Sequence, residues 1–154
     1  NRLWTIPAAR MKMERPHIVP LSRQALEILE EAKAYAGDSP FIFPSVRARK
    51  HKHIASGSLL VSLRSLGWGA EEMTIHGFRG TFTTIANEAG YRRDAIELQL
   101  AHVEKNKVRG AYNRAEYLPE RRRMMQEWAD YLDTLQSGET LTMLEWKQKR
   151  QASE

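Results

Sequence analysis

The sequence predicts an α+β domain, mainly α-helical, with one small antiparallel sheet at its N-terminal end. Two short β-prone runs, Leu3 to Ile6 and His17 to Leu21, flank a basic, turn-like stretch near the start. Later segments repeat apolar residues at three- and four-residue spacing, the period of an amphipathic helix, with Gly and Pro between them as stops. The 154 residues, 42% apolar and 28% charged, suffice for one globular domain with a real hydrophobic core.

The first two runs read as a hairpin around Arg10-Met11-Lys12-Met13-Glu14-Arg15-Pro16, with Pro7 and Pro20 where strands stop. Ser22 is a good N-cap for a helix to about Ala36, whose apolar face is Ala25, Leu26, Ile28, Leu29 and Ala32. Gly37-Asp38-Ser39-Pro40 ends it, and Phe41 to Pro44 reads as a short extended segment. Ser45 to Ser56 reads as an exposed basic loop with Arg47, Arg49, Lys50 and Lys52 around His51 and His53. Ser58 to Leu66 is a helix stopped by Gly67-Trp68-Gly69. Gly77 to Ala89 is a stronger one, with Phe78, Phe82, Ile85, Ala86 and Ala89 on a core stripe and Gly90 as its stop. Shorter helices are expected from about Arg92 to Leu100 and Lys107 to Asn113. Pro119 opens the longest, to about Leu135, with a core stripe of Met125, Trp128, Leu132 and Leu135. Arg121, Arg122 and Arg123 are expected on its surface, pairing with Glu120 and Glu127. Past Gly138, Leu141 to Arg150 is a last amphipathic segment that could fold back or dock on another subunit. The domain reading is therefore 1–136 as the body and 137–154 as a tail.

Composition narrows the function classes. Cys is absent, which excludes disulfides and thiolate metal sites and suits a reducing cytoplasm. No apolar run approaches the roughly 20 residues that span a bilayer. Asn1-Arg2-Leu3-Trp4 is neither a signal nor a transit peptide, and without an initiator Met it reads as the start of a piece of a longer protein. The 24 Lys and Arg against 19 Asp and Glu give a charge of +5, which favours nucleic acid or an anionic surface as partner.

Four local features could carry chemistry. In Thr74-Ile75-His76-Gly77-Phe78-Arg79, the spacing of three puts His76 and Arg79 on one face of a helix start. Free N–H groups, the helix dipole and a guanidinium together suit a phosphate. Gln99-Leu100-Ala101-His102 closes an apolar helix, Tyr112 follows ten residues beyond His102, and Lys12 lies in the hairpin turn. Taken singly, each has a bland reading: a capping His with a solvated Arg, a structural His at a helix end, a half-buried Tyr, a solvated Lys. The His51-x-His53 pair lies in a basic loop without nearby carboxylates, which disfavours a metal site for phosphate chemistry.

In combination these residues resemble the active-site signature of the tyrosine recombinases. Ile18-Val19-Pro20-Leu21-Ser22 is similar to the strand after the family's hairpin lysine, with Lys12 at the usual offset. His76-Gly77-Phe78-Arg79-Gly80-Thr81-Phe82 resembles the His-x-Leu-Arg-His-Thr-Phe box, and Gly90 through His102 resembles the approach to the Leu-Gly-His box. Trp4-Thr5-Ile6-Pro7-Ala8 and Ala111-Tyr112-Asn113-Arg114 look like the prophage integrase branch. The resemblance covers residues 1 to about 135.

The resemblance implies site-specific recombination by transesterification through a 3′-phosphotyrosine. Arg79 would clamp the scissile phosphate, His102 would donate to it, and His76 would assist proton transfer from the tyrosine. Lys12 would protonate the departing 5′ oxygen and Tyr112 would be the nucleophile. Arg10, Arg47, Arg49, Lys50 and Lys52 would contact DNA. No metal or other cofactor is implied. The implied partner is double-stranded attachment-site DNA bound by a homotetramer, in a bacterial cytoplasm at the nucleoid. Gly80 stands where the family has a second His, and Ala101 where it has Gly. A further family arginine, on a helix before the hairpin, has no counterpart here, so the isolated chain is expected to be weakly active or inactive. The alternatives are a type IB topoisomerase and a non-catalytic DNA-binding regulator on the same scaffold.

Overall fold

The computed structural model describes residues 2–12, 14–45, 53–102 and 117–153. Among these, two strands and six α-helices follow in order: β1 (Leu3–Ile6), β2 (His17–Pro20), α1 (Arg23–Ala36), α2 (Ser56–Ser65), α3 (Ile75–Glu88), α4 (Arg93–Gln99), α5 (Leu118–Gln136) and α6 (Met143–Gln151). The mainly helical α+β reading therefore holds. The helix expected from Lys107 to Asn113 lies outside the described residues.

The strands form an antiparallel pair with Leu3 opposite Pro20 and Ile6 opposite His17. Pro20 closes β2 and Pro7 follows β1, where a missing N–H does least harm to a ladder. The connection begins with a 3-10 turn, Ala8–Arg10, rather than continuous strand.

The chain divides into two compact units, 1–23 with 83–154, and 24–82; the division falls inside α3, between Phe82 and Thr83. In the first unit, α5 packs on β2, α4 and α6. Its core contains Ala86, Ala95, Ile96, Met124, Tyr131, Met143 and Trp146. Two helix ends here use a glycine in the left-handed region, at Gly90 and Gly138. Tyr91 is buried after the first of these and donates to Glu127, and Lys147 lies 3.9 Å from its ring centroid. Burial, then the bond to Glu127, pushes the Tyr91 phenol up from its ordinary value. The last segment folds back as α6 against α5. Thr142 and Glu145 cap it reciprocally, and the Trp146 indole donates to Thr134 Oγ1 at 3.0 Å.

In the second unit, α1 and α2 form near the expected bounds, but their apolar stripes stay largely open. Ile28 is 62% exposed, and Leu59, Leu60 and Val61 are exposed as well. Periodicity identifies a face able to be buried, not one that is buried. Phe41 to Phe43 bends rather than extends, and Pro44 pairs with His53 in an isolated bridge.

Two more stripes need correction. On α3, Phe82, Ala86 and Ala89 are buried as expected, but Phe78 is 52% exposed, one turn before the stripe becomes core. On α5 the buried positions are Arg121, Met124, Ala129 and Tyr131, whereas Leu132 is exposed. The stripe is rotated because a guanidinium occupies a core position. Arg123 does sit near Glu127, at 3.9 Å, while Glu120 pairs with Arg92 at 4.0 Å and Arg121 is 1% exposed.

Candidate active site

Each expected site residue among those described takes its place from local chain chemistry. In the hairpin turn, the Glu14 N–H returns to the Met11 carbonyl at 3.0 Å, with Glu14 left-handed at φ 50. Lys12 sits inside that turn, exposed, and Arg10 is exposed at the end of the preceding 3-10 turn.

His102 is set by the end of α4. Its N–H bonds the Glu97 carbonyl at 2.9 Å while the Ala101 N–H bonds the Leu98 carbonyl at 3.1 Å. This paired closure requires a left-handed residue between helix and exit, and Ala101 supplies it at φ 53. The same closure ends α3, where Tyr91 N–H bonds Ala86 and Gly90 N–H bonds Asn87, with Gly90 left-handed at φ 76. The His102 Nδ1 donates to Glu97 Oε2 at 2.6 Å. A carboxylate there keeps a proton on Nδ1, so Nε2 is the nitrogen through which this imidazole can address a ligand.

In the other unit, the start of α3 carries two of the expected residues, His76 and Arg79. Thr74 Oγ1 accepts the Gly77 N–H at 2.9 Å, which makes Thr74, not His76, the cap. A Cβ on Gly77 would lie 3.3 Å from both Met73 Sδ and Thr74 Oγ1, so glycine suits this crowded first turn. His76 and Arg79 follow on one helix face, the first exposed and the second half-buried. Gly80 has open space where a Cβ would go. Before the helix, Arg64 Nη1 lies within hydrogen-bonding distance of the carbonyls of Trp68, Gly69 and Met73, at 2.7, 2.7 and 3.0 Å, and so orders the loop that leads into α3.

Lys12 and His102 thus belong to one unit, and His76 and Arg79 to the other. Tyr112, Arg47, Arg49, Lys50 and Lys52 lie outside the described residues. Three contributors escaped the reading of the sequence: Glu97, Arg64 and Arg121. Glu97 was recoverable in principle, because a left-handed closure brings the residue five positions before His102 back beside it. No group of three or more His, Cys, Asp or Glu able to hold a metal ion occurs among the described residues. None of the described helices is long and apolar enough to cross a membrane.

Residues 1–118 match the description "Phage integrase family". The chain belongs to the phage integrase family. It is 49% identical over 135 residues to prophage integrase IntA of Escherichia coli (strain K12), covering 88% of this chain and 32% of that protein. It is 46% identical over 135 residues to prophage integrase IntZ of the same organism, covering 87% and 33%. It is 44% identical over 134 residues to the integrase of Shigella phage Sf6, covering 86% and 34%. The chain therefore spans about a third of the length of these curated relatives. No solved structure matches it. For an integrase-family chain, the Gly-to-Ala difference before His102 now has a physical meaning: that position is left-handed, and glycine adopts it without strain.

Proposed function

We propose that this chain is the catalytic part of a prophage-type tyrosine recombinase, which integrates and excises DNA at attachment sites. Residues 1–136 form its partial catalytic domain, of the tyrosine recombinase fold, and 137–154 its tail. The observation that carries the reading is the family match over residues 1–118, a stretch of sequence that includes Lys12, His76, Arg79, His102 and Tyr112. All five are chemically competent for phosphoryl transfer, which is mostly positioning and charge stabilisation.

Tyr112 attacks the scissile phosphate and displaces the 5′ oxygen, leaving a 3′-phosphotyrosine that conserves the energy of the broken bond. His76 takes the phenol's proton. Arg79 binds two phosphate oxygens through its planar fork, and His102 donates to one of them. Lys12 gives its proton to the departing 5′ oxygen. Attack of a new 5′ hydroxyl on the phosphotyrosine then reverses the sequence. Arg10, Arg47, Arg49, Lys50 and Lys52 hold DNA backbone, and the active assembly is a homotetramer on two duplexes at the bacterial nucleoid.

The test is covalent capture of attachment-site DNA by the recombinase that contains this chain. Wild type should give protein–DNA adducts that survive denaturant, and Tyr112→Phe should give none while still shifting the DNA in a binding assay. Adducts that persist in Tyr112→Phe would overturn the assignment. Their absence from wild type, with binding intact, would favour the regulator.

A further inference from the structure

Arg121 is the largest side chain fully buried in the described protein, at 1% exposure, nine positions after Tyr112 in sequence. Burying a guanidinium is costly unless its N–H groups are matched, so its partners matter. Its Nε donates to Gln99 Oε1 at 3.0 Å, and its Nη2 donates to the Ile18 carbonyl. His17, 9% exposed, donates from Nε2 to the Gln99 carbonyl at 3.3 Å. Gln99 is thus held by both its side chain and its backbone, and β2 by two successive residues.

These partners are not scattered. His17 and Ile18 are the first residues of β2, directly after the turn that carries Lys12. Gln99 is the last residue of α4, three before His102. Arg121 lies in the first turns of α5, whose start is also held by the Arg92 guanidinium, 5.0 Å from the Tyr117 ring centroid. A bidentate planar donor can fix two acceptors in relation to each other, which a point charge cannot.

We propose that Arg121 is a positioning residue for the recombination reaction: it ties the base of the Lys12 hairpin to the end of α4 and so sets Lys12 against His102. The proposal rests on the roles given above to those two residues. A merely structural arginine would change stability and nothing else, so the test must read position.

Arg121→Lys keeps the charge but not the fork, and Arg121→Met keeps the volume but neither. In the recombinase that contains this chain, both should slow cleavage of ordinary attachment-site DNA by about 10- to 100-fold, within the range of a misplaced general acid. The same DNA with a bridging 5′ sulfur, which departs without a proton, should be cleaved within about threefold of wild type, and Lys12→Ala should show the same rescue. Loss on both substrates alike in Arg121→Lys, with Lys12→Ala rescued, overturns the proposal; so does an unchanged rate on the oxygen substrate. If sulfur does not rescue Lys12→Ala, the acid role of Lys12 fails instead, and the decision passes to distance. The chain has no Cys, so with any Cys elsewhere in the recombinase replaced, spin labels sit at Arg15→Cys and Arg93→Cys alone. At a temperature where both proteins are folded, Arg121→Lys should shift or broaden the label-to-label distance distribution. A distribution identical to that of the labelled parent refutes the positioning role. Should Arg121→Met fail to fold, Arg121→Lys carries both measurements.

Discussion

Ala101 and Gly90 form a matched pair of sites within one chain. Both follow a helix by the same two-bond closure, and both are left-handed, at φ 53 and φ 76. An L side chain in this region costs about 1–2 kcal/mol through contact of Cβ with the following carbonyl. Replacing alanine by glycine gives back about 0.4–1 kcal/mol through the freer unfolded chain. Ala101→Gly should therefore stabilise the protein by about 0.5–1 kcal/mol net, and Gly90→Ala should destabilise it by a similar amount. For a chain of this size that is a change of roughly 1–4 °C in Tm, upward for the first and downward for the second. Urea unfolding followed by tryptophan fluorescence would read both. The β-branched Ala101→Val should lose more than Gly90→Ala gives up, because its Cβ carries two heavy atoms into the same contact. Equal stability of Ala101→Gly and wild type would refute the reasoning, and so would a tolerated Ala101→Val. Since glycine keeps the His102 exit path, DNA cleavage by Ala101→Gly should stay within about twofold of wild type.

Other outcomes follow from particular contacts. Glu97→Leu removes the acceptor that holds the Nδ1 proton of His102, so cleavage should fall about 10- to 100-fold with little loss of stability, because the pair is exposed. A cleavage assay beside a melting curve separates the two effects. Trp146→Ala should cost about 3–5 kcal/mol and leave α6 open to limited proteolysis, since the indole is 5% exposed and bonded to Thr134. The carboxyl of Glu145 is held below its ordinary value by the Thr142 backbone N–H, then by the Thr142 hydroxyl. A depressed carboxyl pKa adds stability above its unfolded value, near 4.3, and loses it as pH falls through the folded value. The Tm difference between wild type and Glu145→Gln should therefore be present at about pH 6 and shrink toward about pH 3.

Much of this was legible in the residues themselves. β-prone runs around a basic turn gave the hairpin, and Pro119 announced the start of α5, whose first helical residue is Leu118. The His76–Arg79 pair at a helix start was readable because helical spacing of three is a geometric fact. The misreadings have one physical source. Sequence patterns mark apolar and charged residues, whereas burial depends on what faces them. Arg121 reads as surface because arginine usually is, and partners such as the carbonyl of Ile18 and the amide of Gln99 offset the cost of its burial. Leu132 and Phe78 read as core for the converse reason, and both are exposed. Glu97 acquires its role through a left-handed turn at Ala101, a conformation that alanine does not advertise.

The most direct test of the central claim is the chemistry of the protein–DNA linkage. Attachment-site DNA is trapped with the recombinase, digested with protease and nuclease, and the nucleotide-bearing peptide is sequenced by mass spectrometry. One peptide is expected, modified on Tyr112 through a 3′ phosphate, with a free 5′ hydroxyl on the released strand. A linkage on another residue, or through a 5′ phosphate, would contradict it.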